Sequence, residues 1–347
     1  MVVCIKSFRV FIPEPEWPES HRILEEVAEV IVGKHGVRYD EEALAEVLKD
    51  FDAVIITSQH KVSRRVIYSS PRLKVIAKYG SKPGPDNVDL EAATERGIPV
   101  VYSPEANSDS VAEFTVSLIL CVLKKICFLN QALRQGLWRS ELLIEKSNFT
   151  RELKEKVVGV VGLGAIGRRV ARILQSFGVR LIGYDPYVQR EALGGIHIVM
   201  VGSLDELLRE SDIVTIHAAL SPVTYHMMGE RELRLMKPTA YLINTARGAI
   251  VDEQALVRAL KEGWIAGAAL DVFEKEPLPK DHPLLQLSNV IATPHFASCT
   301  YEAYERETVT AHKDVVRVLM GCRPVNIANP EVLGKRPDLR ECQEFLL

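Results

Sequence analysis

The sequence has no long apolar run, no block of basic residues and no closely paired cysteines, and each absence removes a class of function. Its longest apolar stretch, Leu118-Ile119-Leu120-Cys121-Val122-Leu123, is closed by Lys124-Lys125, far short of the roughly 18 residues that a membrane span needs. With 43 Lys and Arg against 46 Asp and Glu, the net charge is -3. No nucleic-acid or membrane-surface partner is expected, because neither leaves an electrostatic footprint here. The six cysteines, Cys4, Cys121, Cys127, Cys299, Cys322 and Cys342, lack the spacings of zinc sites or redox dithiols. No metal is expected, and all six are expected to be reduced, small apolar residues of a cytoplasmic protein. Met1 to Phe11 carries Lys6 and Arg9 among its apolar residues and lacks a signal-peptide layout. There is no internal repeat, and Gly334 to Leu347 reads as polar and loose.

What is present begins with a β-branched run, Val157-Val158-Gly159-Val160-Val161, that passes into Gly162-Leu163-Gly164-Ala165-Ile166-Gly167 and then into a helical pattern. This is a dinucleotide-binding element. Gly162 permits the tight turn, Gly164 lets the backbone approach a pyrophosphate, and Gly167 lets the helix pack close to its strand. The glycine pattern alone is weak, but its setting is complete. Val170, Ile173 and Leu174 fall on one helical face, and Val179 to Tyr184 reads as a second strand ending in Asp185. A carboxylate there accepts from the ribose 2'-OH of NAD and repels a 2'-phosphate, and Pro186-Tyr187-Val188 offers no arginine to receive one. The expected cofactor is NAD.

A chain of 347 residues accommodates roughly two domains of about 150 residues. Before the glycine turn, apolar runs and helical stretches alternate through Val2 to Ile5, Ile23 to Val32, Ala53 to Ile56, Leu73 to Ala77 and Ile98 to Val101. After it the alternation continues through Asp212 to His217, Ala240 to Asn244, Ala266 to Leu270 and Asn289 to Ala292. Such alternation implies parallel sheets with right-handed crossovers. Ser203-Leu204-Asp205-Glu206 is a capping box. Ser108 to Arg134 is the longest uninterrupted helical pattern, with Val111, Phe114, Thr115, Leu118 and Val122 on one face. Its apolar surplus suits packing across the cofactor domain and a subunit interface.

In a doubly wound sheet the ligand lies at the carboxyl ends of the strands. Four such ends carry reactive residues: His217, then Asn244-Thr245-Ala246-Arg247-Gly248, then Asp271 to Pro277, then Thr293-Pro294-His295. The combination suits reduction of a 2-oxo acid. Arg247 presents a planar fork for a carboxylate and polarises the neighbouring ketone. His295 supplies the proton, and Glu276 orients the imidazole and favours its charged form. Taken singly, each has a bland alternative as an ion-pair, turn or packed loop residue.

Over nearly its whole length the sequence resembles the D-isomer-specific 2-hydroxyacid dehydrogenases. The residues that carry the likeness are Gly162 to Gly167 with Tyr184-Asp185-Pro186, Asn244 to Gly248 with Val251-Asp252, Ala269 to Pro277, and Thr293-Pro294-His295. The resemblance implies that Arg247 binds substrate, that Glu276 and His295 form the acid-base pair, and that Asp271 contacts the nicotinamide end of the cofactor. The expected cofactor contacts are Gly162, Gly164, Ala165, Ile166, Gly167, Asp185, His217, Thr245, Ala246 and Asp271. The implied fold is α/β, a doubly wound parallel-sheet (Rossmann) cofactor domain, residues 104–297, inserted into a smaller flavodoxin-like α/β substrate domain, residues 1–103 and 298–347. Hinges are expected near Ser103-Pro104 and Phe296-Ala297. Family members dimerise through the cofactor domain, so a homodimer is expected.

Two departures concern the substrate. The family's Gly-x-Gly-x-Asp-Asn loop is here Gly80-Ser81-Lys82-Pro83-Gly84-Pro85-Asp86-Asn87, two residues longer and without N-H donors at its two prolines. Gly80, Ser81, Lys82 and Gly84 are still expected to face the substrate carboxylate. Thr57-Ser58-Gln59-His60-Lys61 stands where phosphoglycerate-using relatives often show Arg-Ser-Arg, leaving Lys61, Lys82 and Arg64 as substitutes. The expected function is NAD-dependent interconversion of a D-2-hydroxy acid and its 2-oxo acid, with 3-phosphoglycerate or hydroxypyruvate/glyoxylate as candidates. The chain stops soon after Asn329-Pro330-Glu331, so no appended regulatory domain is expected. The alternative is an NAD-sensing corepressor-like interaction protein. A formate-type enzyme would pair its histidine with glutamine, against which Glu276 argues.

Overall fold

The computed structural model describes residues 7–14, 18–34 and 36–342. The chain forms two compact units, Met1–Asn107 with Thr300–Leu347, and Ser108–Cys299. The divisions fall slightly later than the expected 103/104 and 297/298.

The first unit is built on five parallel strands in the order β2-β1-β3-β4-β5, the flavodoxin-like arrangement. They are β1 Phe8–Ile12, β2 Ala28–Val32, β3 Ala53–Ile56, β4 Val75–Lys78 and β5 Val100–Tyr102. Every residue of β3 and β4 is buried, as parallel strands covered on both faces require. One face packs on Leu44, Leu48, Val66, Ile67 and Ala92. The other packs on Ala311, Val315 and Val316 of the returning helix Tyr301–Leu319.

The second unit has seven parallel strands in the order β12-β11-β10-β9-β6-β7-β8. They are β6 Val157–Val161, β7 Arg180–Tyr184, β8 Ile198–Met200, β9 Ile213–Ile216, β10 Tyr241–Asn244, β11 Gly267–Leu270 and β12 Val290–Ala292. This is the doubly wound Rossmann order, with its switch point between β6 and β9. The loops after these two strands, carrying the glycine turn and His217, therefore flank the crevice where ligands bind such sheets.

Several local expectations are corrected. The strand expected at Val2 to Ile5 lies outside the described residues, and the first described strand is Phe8–Ile12. Ile23 to Val32 divides between the helix Arg22–Glu25 and β2. The pattern from Ser108 to Arg134 is two helices, Ser108–Lys124 and Ile126–Arg134, because Lys125 takes a left-handed conformation at φ 50°. The longest described helix is instead Tyr301–Leu319, of 19 residues. Ser203 caps the helix Leu204–Glu210 by accepting from Glu206 N, but the Glu206 carboxylate accepts from Gly202 N rather than from Ser203 N, so half of the box forms. Among the described residues no helix is long and apolar enough to cross a membrane.

The cysteine expectation fails at one pair. Cys322 and Cys342 form a disulfide across a separation of 20 residues, while among the described residues Cys121, Cys127 and Cys299 form no disulfide; Cys4 lies outside the described residues. A parallel bridge pairs Cys322 with Arg340, a tertiary proximity that cysteine spacing does not report. The segment expected to be loose is tied down as far as Cys342: Arg323 N donates to Arg340 O at 2.9 Å, and Leu339 is only 2% exposed. Removing the covalent link by Cys342→Ser is expected to cost about 3 kcal/mol for a closed loop of this size. Thermal denaturation checks it: a reductant should lower the Tm of the wild-type protein and leave that of the variant unchanged.

Candidate active site

The glycine turn is shaped by what each position excludes. Gly162 has φ 88°, and a Cβ there would lie 2.7 Å from Ala218 N. At Gly167 a Cβ would lie 2.0 Å from Gly162 O, whereas at Gly164 it would meet nothing within 4 Å. Gly164 is also the N-cap of the helix Ala165–Gln175 and supplies no capping side chain. Among the described residues no acceptor takes the first N-H groups of that helix, at Ala165 and Ile166, which fits a pyrophosphate.

Asp185 follows β7. Its Oδ2 accepts from Leu163 N at 2.8 Å and its Oδ1 from Tyr187 N and Val188 N at 2.8 and 3.1 Å. It thus caps the turn and braces the glycine loop, and Oδ2 keeps a lone pair for a ribose hydroxyl. His217 follows β9, its Nε2 lying 2.9 Å from Thr215 Oγ1. Burial holds His217 down to about 3, so it is neutral at physiological pH. Thr245 Oγ1 lies 2.8 Å from Thr115 Oγ1. These residues fit a dinucleotide, and among the described residues no His, Cys, Asp and Glu group is arranged to hold a metal ion.

At the end of β10, Asn244 organises the loop that carries Arg247. Its Oδ1 accepts from Ala246 N and its Nδ2 donates to Arg247 O, both at 3.0 Å. Arg247 Nη1 donates to Ala246 O at 2.8 Å. At Gly248 a Cβ would fall 1.9 Å from Phe273 C and 2.4 Å from Glu274 N. Only glycine allows these two loops to touch backbone to backbone.

The loop after β11 delivers Glu276. Glu276 Oε1 accepts from Phe273 N at 3.0 Å, and Oε2 lies 2.7 Å from His295 Nδ1. Burial pushes the Glu276 carboxyl up, but the His295 hydrogen bond and charge, the Phe273 N-H and the Arg247 guanidinium together hold it below the usual glutamate value. The peptide bond Glu276-Pro277 is cis. His295 itself takes φ 54°, unusual for a residue with a side chain. Its N-H donates to Asp271 O at 2.8 Å. The fully buried Asp271 carboxylate accepts from Thr293 Oγ1 at 2.6 Å, Phe296 N at 2.9 Å and Ala297 N at 2.8 Å.

Arg247, Glu276 and His295 are therefore assembled within the second unit. Sequence reasoning missed the positioning tasks of Asn244, Gly248 and Asp271, although each lies inside a motif already singled out. An Asx residue three before an arginine signals a bonded turn; nothing local signals the Gly248 contact. A further brace has no signal in the sequence: Glu253 N donates to Glu274 Oε1 at 3.0 Å, and Glu274 N donates to Glu253 Oε1 at 2.6 Å.

In the first unit, Gly80 (φ 76°), Ser81, Lys82 and Gly84 follow β4. Gly84 O closes the turn by accepting from Asn87 N and Val88 N at 3.0 Å. After β3, Thr57 Oγ1 donates to Glu14 Oε1 at 2.9 Å, and His60 Nδ1 lies 3.1 Å from Thr57 Oγ1. Burial, with the Arg38 charge, holds His60 down to about 4. Arg64, one of the expected substitutes for phosphate-binding arginines, is committed elsewhere: its two Nη atoms donate to Glu95 at 2.7 and 3.1 Å.

Comparison with known proteins places this arrangement. Residues 116–297 match the NAD-binding domain of the D-isomer specific 2-hydroxyacid dehydrogenases. A glyoxylate reductase from Thermofilum pendens is 44% identical over 330 residues, covering 94% of each chain. A D-3-phosphoglycerate dehydrogenase from Methanocaldococcus jannaschii is 41% identical over 94% of this chain, which spans only 61% of that relative's length. A solved structure from Thermus thermophilus superimposes with a TM-score of 0.84 at 34% identity, covering 92% of this chain and 99% of that one. The chain belongs to the D-isomer specific 2-hydroxyacid dehydrogenase family, and so to the NAD(H)-binding oxidoreductases.

Proposed function

We propose that the chain interconverts a small unphosphorylated 2-oxo acid, of the glyoxylate and hydroxypyruvate class, and its D-2-hydroxy acid. The observation that carries this reading is the 2.7 Å contact between His295 Nδ1 and Glu276 Oε2, in a loop pair that also bears Arg247. Bound NAD(H) supplies or accepts the hydride. Because Nδ1 is taken by Glu276, Nε2 is the ring atom that gives its proton to the ketone oxygen in reduction and receives it back in oxidation. Glu276, held ionised, stabilises the imidazolium. Arg247 offers paired N-H donors to the substrate carboxylate and draws electron density from the carbonyl. The N-H groups around Gly80, Ser81, Lys82 and Gly84 are further carboxylate donors, and Asp271 positions the His295 segment besides its assigned place at the nicotinamide end. Asp185 favours NAD over NADP, since its carboxylate repels a 2'-phosphate.

The choice against a phosphorylated substrate rests on Glu14. Its carboxylate sits on Thr57, where a phosphate would need guanidinium groups, and Arg64 is held by Glu95. The alternative of an NAD-sensing interaction protein finds no support among these relatives. Steady-state rates with NADH should favour glyoxylate or hydroxypyruvate over phosphohydroxypyruvate, and Arg247→Ala should abolish most of kcat/KM while leaving NADH binding intact. Unchanged turnover in that variant refutes the assignment. A preference of about a hundredfold or more for the phosphorylated compound, near 3 kcal/mol, overturns the substrate class.

We further infer a homodimer through the second unit. Leu129, Leu133, Leu137, Trp138, Leu143 and Phe149 line an open apolar cavity of about 350 Å³, and Trp138 and Ile144 are 66% and 78% exposed. Apolar surface of this kind suits a second copy of the chain. Light scattering should give twice the 38.8 kDa chain mass, and a monomeric mass at micromolar concentration contradicts it.

A further inference from the structure

Beneath the loop that follows β4 lies a charged side chain to which the proposed reaction assigns no task. Lys78, the last residue of β4, is 2% exposed. An ammonium group so placed must be compensated by its neighbours. Its Nζ donates to Tyr79 O at 3.1 Å and to Ser81 O at 3.0 Å. Glu307, on the helix Tyr301–Leu319, interacts with it electrostatically: burial pushes its carboxyl up to about 7, against the pull of Lys78, of an Asn107 hydrogen bond and of Arg306. Asn107 and Glu307 also close the space at Gly80, where a Cβ would lie 2.6 Å from Asn107 Nδ2 and 2.8 Å from Glu307 Oε1.

The consequence lies on the other side of the backbone. In a trans peptide the N-H points opposite to its C=O. With the carbonyls of Tyr79 and Ser81 drawn onto Lys78, the N-H groups of Gly80 and Lys82 are turned away from it. The carbonyl of Gly80 is held separately, accepting from Ser103 N at 3.2 Å, which directs the N-H of Ser81 away in turn. Among the described residues no acceptor takes the N-H of Gly80, Ser81 or Lys82. Three successive donors without internal partners make an anion-binding concavity. The ammonium on the carbonyl side polarises two of these peptides and strengthens their N-H groups as donors.

We propose that Lys78 is a positioning residue for the substrate carboxylate: its buried ammonium holds the Tyr79 and Ser81 carbonyls and so presents the N-H groups of Gly80 and Lys82 to the anion. This deepens the reading of the loop as a carboxylate-binding element and rests on it. The role differs from that of Arg247, because Lys78 acts through the backbone.

The test is steady-state kinetics of the full chain with glyoxylate and NADH. Lys78→Met is expected to raise KM for glyoxylate by about tenfold or more, with kcat changed much less, since anion binding weakens while His295 and Glu276 are untouched. Lys78→Arg, which keeps the charge and several donors, should recover most of that loss. The dissociation constant of NADH should be the same in all three proteins. If the Met variant does not fold, Lys78→Gln, which retains a donor without the charge, should show the same split between KM and kcat. A folded variant with unchanged KM, or one that loses kcat alone, overturns the proposal while leaving the reaction class intact. A wild-type protein that reduces no 2-oxo acid overturns the underlying reading instead.

Discussion

The hydrogen bond between His295 and Glu276 joins loops that leave two different strands, and the acid-base chemistry proposed for the second unit depends on those loops staying in register. Two constraints keep them there. On one side Gly248 lets the Arg247 loop rest directly on the backbone of Phe273 and Glu274, so that a guanidinium stands near the Glu276 carboxylate. On the other, the buried Asp271 carboxylate takes three donors from Thr293, Phe296 and Ala297 and fixes the segment that bears His295. Charge-assisted bonds of this kind are each stronger than a neutral backbone bond, and losing one leaves a buried charge uncompensated.

Parallel topology explains why such constraints collect where they do. Within each sheet, every strand delivers its following loop to the same edge of that sheet, so groups far apart in sequence meet without long connections. In the second unit this edge gathers the glycine turn, His217, Arg247, Glu276 and His295. In the first it gathers Glu14, Thr57 and the Gly80 loop, each beyond the end of a neighbouring strand. The two edges use related chemistry. Free backbone N-H groups at Ala165 and Ile166 suit phosphate, and those at Gly80 to Lys82 suit a carboxylate.

What could be read from the sequence was whatever is fixed by local pattern. Gly162 is required by its own φ of 88° and Gly167 by its approach to Gly162 O, local needs that their spacing reports directly, although Gly162 also packs against Ala218 of a distant loop. Arg247, Glu276 and His295 each follow an apolar run, so strand ends pointed to them, and the family resemblance supplied their roles. The remainder depended on contacts between distant segments. The Gly248 contact, the Asp271 clamp and the Cys322–Cys342 link leave no periodic trace. Lys78, at the end of an apolar strand, carries no mark that its side chain turns inward. The break at Lys125 leaves no trace in the pattern because apolar residues continue on both sides of it, and the boundary between the helix Arg22–Glu25 and β2 leaves none for the same reason.

If the His295–Glu276 pair acts as one unit, its two members cannot contribute independently to the barrier. The direct test is a double-mutant cycle on kcat/KM for reduction of the preferred 2-oxo acid, using His295→Gln, Glu276→Gln and the double variant. The double variant is predicted to be no slower than His295→Gln alone, within about threefold, because the carboxylate has nothing left to act on. Losses that multiply across the cycle would mean that Glu276 works apart from the imidazole, and would contradict the account at its centre.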